Sequence, residues 1–193
     1  MRKSSDSEHF IVVVENIDEE VRKEREHLKA LNSEKELARR DELTGTKNKM
    51  AYTELENSVQ NNIDNGVDYF PFALAVCDIN DLKKTNDTDG HKAGDELIKA
   101  AASLLCDIFD HSPVFRIGGD EFAIFLRGND YHNREGLIKK LKEKVLENLE
   151  GGSGPVIAAG MSAFEQGRDR SVSEIFERAD NLMYEDKSAL KNR

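Results

Sequence analysis

The run Phe72-Ala73-Leu74-Ala75-Val76-Cys77 holds no polar residue and stops at Asp78. A strand with one wet face alternates apolar and polar side chains, so six consecutive apolar positions read as a strand covered on both faces, in the middle of a sheet. A carboxylate is then presented at the end of a buried strand. Acids seldom occupy such a place without a partner.

Two further runs of strand length, Val114 to Ile117 and Phe122 to Leu126, are rich in β-branched and aromatic residues. The residues between them, Gly118-Gly119-Asp120-Glu121, read as a hairpin tip. The glycines can take the positive φ angles of tight turns, and without a Cβ they let a large anion approach the backbone. Gly-Gly-Asp is also ordinary turn chemistry, so the tip by itself does not decide between a solvated turn and a site. If the hairpin pairs beside the buried strand, Asp78 converges on Asp120 and Glu121, and like charges gathered in one place need a cation. Oxygen donors with no Cys or His nearby suit Mg²⁺ or Mn²⁺, which complete their shells with water and substrate phosphate. The constellation points to a nucleotide.

The segment Arg116 to Phe122 resembles the signature of the GGDEF family, the diguanylate cyclases. The resemblance runs from about Arg40 to Lys191 through five ordered blocks: Arg39 to Lys49, Phe72 to Asp87, Gly90 to Leu97, Phe115 to Leu126, and Glu177 to Lys187. It implies condensation of two GTP into cyclic di-GMP with release of two pyrophosphates, using two Mg²⁺ (or Mn²⁺) per active site. The metal positions implied are Asp78, the backbone carbonyl of Ile79, and Asp120, with Glu121 as a further acidic ligand. Asp120 also matches the base toward the attacking 3′-hydroxyl. Asn86 and Asp95 stand at the family's guanine contacts, where a carboxylate suits the paired N1–H and N2 donors of guanine. His91 lies in the loop between them and fits a structural role as well as a base contact. For the triphosphate the resemblance implies Lys83, Lys187 and Lys191, with Gly118 and Gly119 at the tip and the backbone N–H groups at the start of the Asn80 to Lys84 turn.

The chain departs from the family pattern in four places. Asn80 replaces the second acid of Asp-x-Asp, and Leu82 stands where an aromatic is common. Asn192-Arg193 are out of the usual order. Phe109 and Ser112 occupy the Arg and Asp positions of the family's product-inhibition motif, which implies that this secondary site is missing.

At 193 residues there is room for one ordinary domain plus an appendage. The segment 1–16, with its β-rich run His9 to Val14, is similar to the last strand of a PAS-like sensor. A charged helix spans 17–40, and a GGDEF catalytic domain fills 41–193. On the helix Ile17, Val21, Leu28, Leu31 and Ala38 share the a and d positions of one heptad frame, broken by Glu24 and Lys35. That pattern fits a short parallel coiled coil joining two protomers, or a solvated single helix with a weak apolar stripe. A homodimer with facing active sites follows from the first reading, and an upstream sensor in a longer chain from the sensor resemblance.

Downstream, a helix is expected from Asn48 to Asn62, a loop at 61–66, a polar and turn-rich stretch from Asn80 to Gly90, and a helix from Lys92 to Phe109. A further helix is expected from Asn133 to Leu149, then a strand from Val156 to Met161 and a last helix from Ser173 onward. An EF-hand reading of the acids at 78–95 fails, because Asp89, Lys92 and Ile98 stand where the twelfth-position Glu would be. The order contains βαββαβ, so the fold class expected is α+β, ferredoxin-like, as in polymerase palms and class III cyclases.

A net charge of −10 argues against nucleic acid or an anionic membrane as the partner. It does not argue against GTP, since a divalent ion inverts the local sign. Cys77 and Cys106 lack metal or disulfide spacing and read as core thiols of a reducing cytosol. No stretch has the length of a membrane span. The expected location is therefore cytoplasmic, with a parent protein that could be membrane-anchored. A catalytically silent GGDEF module, binding GTP or a protein as a receptor, is the alternative function; such modules usually lose the tip acids, which are intact here.

Overall fold

The computed structural model describes residues 5–66 and 71–192, with side chains from residue 19 onward. It divides into two compact units, Met1–Arg39 and Arg40–Arg193.

The first unit is one helix, α1 (Ser5–Ala38). The strand expected over His9 to Val14 is part of this helix. A lone strand leaves its N–H and C=O groups without a ladder, whereas a helix satisfies them within the segment. Val21, Leu28 and Leu31 are exposed along α1, and ion pairs such as Lys23–Glu19 at 2.8 Å lie between successive turns. Ile17 lies outside the described side chains.

The second unit contains β1 (Lys47–Asn48), α2 (Lys49–Asp64), β2 (Phe72–Ile79), α3 (Leu82–Asp89), α4 (His91–Ile108), β3 (Val114–Arg116) and β4 (Glu121–Arg127). It continues through α5 (Gly128–His132), α6 (Arg134–Gly151), β5 (Ile157–Ala163) and α7 (Val172–Lys191). Two helix starts are capped as their sequences suggest. Asn48 accepts from the Ala51 N–H and Ser171 from the Glu174 N–H, each cap being worth about 1 kcal/mol. The stretch expected to be turns at Asn80 to Gly90 is largely the short helix α3. Polar composition hid it, because α3 buries no side chain. Helix α2 runs two residues further than expected, to Asp64, where Asn65 closes it by donating from backbone and side chain to the Asn61 carbonyl.

The sheet order is β1-β3-β4-β2-β5. β2 is antiparallel to both β4 and β5, β3 and β4 form the hairpin, and β1 adds a parallel edge to β3. This is the α+β, ferredoxin-like βαββαβ arrangement around a central β2. All eight residues of β2 are buried. Ala73, Ala75, Cys77 and Ile79 face α4 and α6, packing with Ile98, Leu105 and Leu141. Leu74 and Phe72 face the other way with Tyr52 and Ile175, and Val76 meets Ala179 and Met183. Gly160 of β5 permits that second layer: a Cβ there would collide with the α7 backbone at Ala179 and Met183. Among the described residues no helix is long and apolar enough to cross a membrane.

Candidate active site

Strand alternation decides where Asp78 faces. Leu74 and Val76 lie on the α7 side of the sheet, so Asp78 lies there too. Helix α7 buries Ile175, Ala179 and Met183 at four-residue spacing, and the next position on that stripe is Lys187. Its ammonium donates to Asp78 Oδ1 at 2.6 Å.

The antiparallel register brings the hairpin to the same place. The Cα of Asp78 pairs with that of Glu121, and the Ile79 N–H donates to the Asp120 carbonyl at 3.0 Å. Burial pushes the Asp78 carboxyl above its ordinary value; the Lys187 ion pair opposes this, and the Asp120 charge adds to it. Burial works against the Lys187 ammonium, but the bond to Asp78 and the nearby Asp120 outweigh it and raise its pKa. Desolvation weighs more on Asp78 because it is the deeper partner, 9% exposed at the side chain against 24% for Lys187. Two carboxylates thus meet beside one cation.

Asp120 and Lys187 line an open cleft of about 460 Å³ with Ile79, Asp81 and Lys191 and, from α3, Leu82, Lys83, Lys84, Asp87 and Thr88; Asp78 is joined to it through Lys187. Asp81 has φ of 60°, the one non-glycine residue with positive φ among those described. This left-handed conformation costs about 1 kcal/mol and starts α3 at the cleft, where first-turn N–H groups have no partner within the helix. The start of α3 therefore presents free N–H groups with Lys83 and Lys84 in its first turn, an arrangement that suits an anion.

The other residues singled out in the sequence are placed differently. Asn86 is half-buried on α3, packed against Gly94 so closely that a Cβ there would collide with its amide. His91 and Asp95 are exposed near the start of α4. These three do not line the cleft around Asp120. Glu121 is exposed, and its Oε2 would lie 2.5 Å from a Cβ at Gly118, whereas a Cβ at Gly119 would meet open space. Neither glycine takes a positive φ; at Gly118 the lack of a Cβ makes room for Glu121, and Gly119 faces open space.

Arg116 fixes the tip, a role the residue pattern alone did not disclose. Its Nε and Nη2 donate to the Gly119 carbonyl at 3.3 and 2.9 Å, and its Nη1 donates to Asp41 Oδ1 at 3.1 Å. Asp41 accepts in turn from the Thr44 N–H and hydroxyl, a turn closed around Gly45 at φ of 71°. Thr44 and burial act on Asp41 in opposite directions, and Arg116 helps to hold its carboxyl below the ordinary value. The sequence signal was the spacing Asp41-x-x-Thr44, a side-chain turn, and a cation placed just before the glycines.

Among the described residues no three His, Cys, Asp or Glu side chains gather closely enough to hold a metal alone. The donors the site offers are the carboxylates of Asp78 and Asp120 and the backbone oxygen of Ile79, a residue that lines the cleft, all hard oxygens. Such a set fits Mg²⁺ or Mn²⁺ completing its shell with water and phosphate.

The family described as "Diguanylate cyclase, GGDEF domain" matches residues 38–193. The chain is 30% identical over 172 residues to "Probable diguanylate cyclase DgcT" of Escherichia coli (strain K12), covering 85% of this chain and 37% of that protein. It is 31% identical over 169 residues to "Diguanylate cyclase DgcP" of Pseudomonas aeruginosa, covering 84% and 24%. The chain thus spans well under half the length of both relatives. The coiled coil and GGDEF domain of DgcB from Caulobacter crescentus, solved in complex with c-di-GMP, shares the fold at a TM-score of 0.67 and 24% identity, over 93% of this chain and 95% of that one.

Proposed function

The chain belongs to the GGDEF family of diguanylate cyclases, and on that footing we propose that it condenses two GTP into cyclic di-GMP and two pyrophosphates. The observation that carries the reading is the Asp78–Lys187 ion pair within reach of the Asp120 charge, with Lys187 and Asp120 lining the cleft. In each of two equivalent steps the 3′-oxygen of one GTP forms a bond to the α-phosphorus of the other, the bond from that phosphorus to the bridging oxygen breaks, and pyrophosphate leaves.

Each demand of the reaction has a group in this chain. Asp120 takes the hydroxyl proton. Lys83, Lys187 and Lys191, with the N–H groups that open α3, hold the triphosphate and neutralise charge on the leaving pyrophosphate. Asp95 and Asn86 read guanine from the neighbouring face of α3 and α4, and His91 adjoins them. Gly119 leaves the tip open to the substrate. Asp78, the Ile79 carbonyl, Asp120 and Glu121 would hold two Mg²⁺ or Mn²⁺, which when bound lower the pKa of the 3′-hydroxyl and polarise the α-phosphate.

One protomer offers one such cleft and the product has two-fold symmetry, so two copies must face each other. The exposed Val21, Leu28 and Leu31 along α1 support pairing through that helix, which would raise the effective concentration of one site near the other. The reaction would run in the cytoplasm, under the control of a sensor elsewhere in a longer protein. Incubation with GTP and Mg²⁺ followed by mass analysis tests the proposal: cyclic di-GMP and pyrophosphate are expected. GTP bound but recovered unchanged would instead identify a silent receptor module.

A further inference from the structure

Asp186 is next to Lys187 in sequence but about 100° around the helix from it, and it faces away from the cleft. Its Oδ2 accepts from the backbone N–H of Ala159 at 2.9 Å, and its Oδ1 accepts from Lys142 of α6 at 2.7 Å. The side chain is only 16% exposed. Ala159 lies on the outer edge strand β5, and its neighbour Ala158 is paired with Asp78 across the ladder. A single carboxylate therefore ties α7 to β5 and to α6, one residue from the cation that reaches Asp78.

A structural reason for the contact exists: β5 is an edge strand, and an acid on its free N–H blunts it against pairing with other strands. That reason does not require the acid to be where it is. The close approach at Gly160 already fixes α7 against β5 at Ala179 and Met183, one turn before Lys187. Beyond that turn the helix runs on through Lys187 and Lys191, the two lysines that α7 brings to the cleft. Leu190 also packs on the core along this terminal segment, but Asp186 is its polar tie to β5 and α6, and in the chain it lies between the anchor at Gly160 and the two lysines.

We propose that Asp186 is a positioning residue for the triphosphate: gripping Ala159 and Lys142, it holds the end of α7 so that Lys187 meets the cleft in one place. The inference rests on the reading of the cleft as a GTP site. It assigns Asp186 to substrate affinity rather than to the chemical step, because it touches neither Asp78 nor Asp120.

The test is a double-variant cycle on the full chain with KM and kcat for GTP as readouts. Asp186→Ala is expected to raise KM by roughly 10-fold with kcat changed about 2-fold or less, a loss of the size that small misplacement of a binding group produces. Asp186→Asn, which keeps an acceptor for Ala159 and loses the charge toward Lys142, should raise KM by roughly 3-fold, consistent with a neutral bond replacing a charged one. In the Lys187→Met background neither substitution should raise KM further, since residues acting through one another are not additive. Equal KM increases in both backgrounds would overturn the proposal, because they would show a general loosening of α7 independent of Lys187. Unchanged KM in Asp186→Ala would overturn it as well. If Asp186→Ala fails to fold, the Asp186→Asn pair carries the same comparison. Failure of wild type to bind or turn over GTP would instead sink the underlying reading of the cleft, and the proposal with it.

Discussion

Lys187 Nζ lies 2.6 Å from Asp78 Oδ1, joining the last turns of the C-terminal helix to the end of the central strand. The pair places a cation beside two carboxylates, where in the proposed reaction a triphosphate would meet it. Lys187→Met should raise KM for GTP by roughly 10-fold or more, as expected for loss of a charged hydrogen bond of about 1.5–3 kcal/mol, while far-UV circular dichroism stays native. Steady-state kinetics check this. An unaltered KM would mean that the ammonium does not serve the phosphates.

Arg116 holds both the Gly119 carbonyl and the Asp41 carboxylate. Lysine keeps the charge but not the planar fork that satisfies two acceptors at once. Arg116→Lys should therefore lower kcat by about 10-fold or more through misplacement of Asp120, with a small change in thermal midpoint. Single-turnover rates give the answer, and a full-rate variant would show that the tip holds its shape without the clamp.

Arg178 grips Asp169 through its two terminal guanidinium nitrogens, at 2.6 and 2.8 Å, with the Asp169 side chain 1% exposed. This bond, opposed by burial, holds the Asp169 carboxyl below its ordinary value. Since the folded pKa is depressed, the stabilisation is present above the unfolded value near 4 and is lost as pH falls through the folded pKa. Asp169→Asn should cost about 3 kcal/mol at neutral pH, within the range for breaking a buried pair, and the gap from wild type should narrow below about pH 4. Urea melts at pH 7 and pH 3 measure it. A gap independent of pH would contradict the assignment.

Much of this was legible in the sequence because it depends on period and spacing. The unbroken apolar run from Phe72 to Cys77 set the central strand with Asp78 at its end, and the two runs flanking Gly118-Gly119 set the hairpin. The rest depends on partners distant in the chain. Helix α3 buries nothing and so left no apolar stripe to read. The run at His9 to Val14 looked like a strand because β-branched residues favour one locally, yet it lies within α1. Asp41 with Arg116, and Asp186 with the Ala159 N–H, join residues brought together only by the sheet.

Phe109 is fully buried in the core, and Ser112 is buried with its hydroxyl unpartnered. Neither presents a charge to a guanine or a phosphate, so the secondary inhibitory site implied by the family pattern has lost both anchors. Inhibition by cyclic di-GMP should be weak and competitive with GTP. Tight non-competitive inhibition in initial-rate plots would show that other residues have built a second site.

In the proposed reaction Asp78 and Asp120 act together as one centre. Its most direct test is the rate of pyrophosphate release and the mass of the nucleotide product for wild type and Asp120→Ala, prepared side by side and matched by thermal melt. Wild type should form cyclic di-GMP with two pyrophosphates per product, in a reaction abolished by chelating Mg²⁺. Asp120→Ala should form none above the uncatalysed background, a loss of at least about 10³-fold if it removes both a metal ligand and the base. Undiminished turnover by the folded variant, or product formed without a divalent ion, would contradict the account.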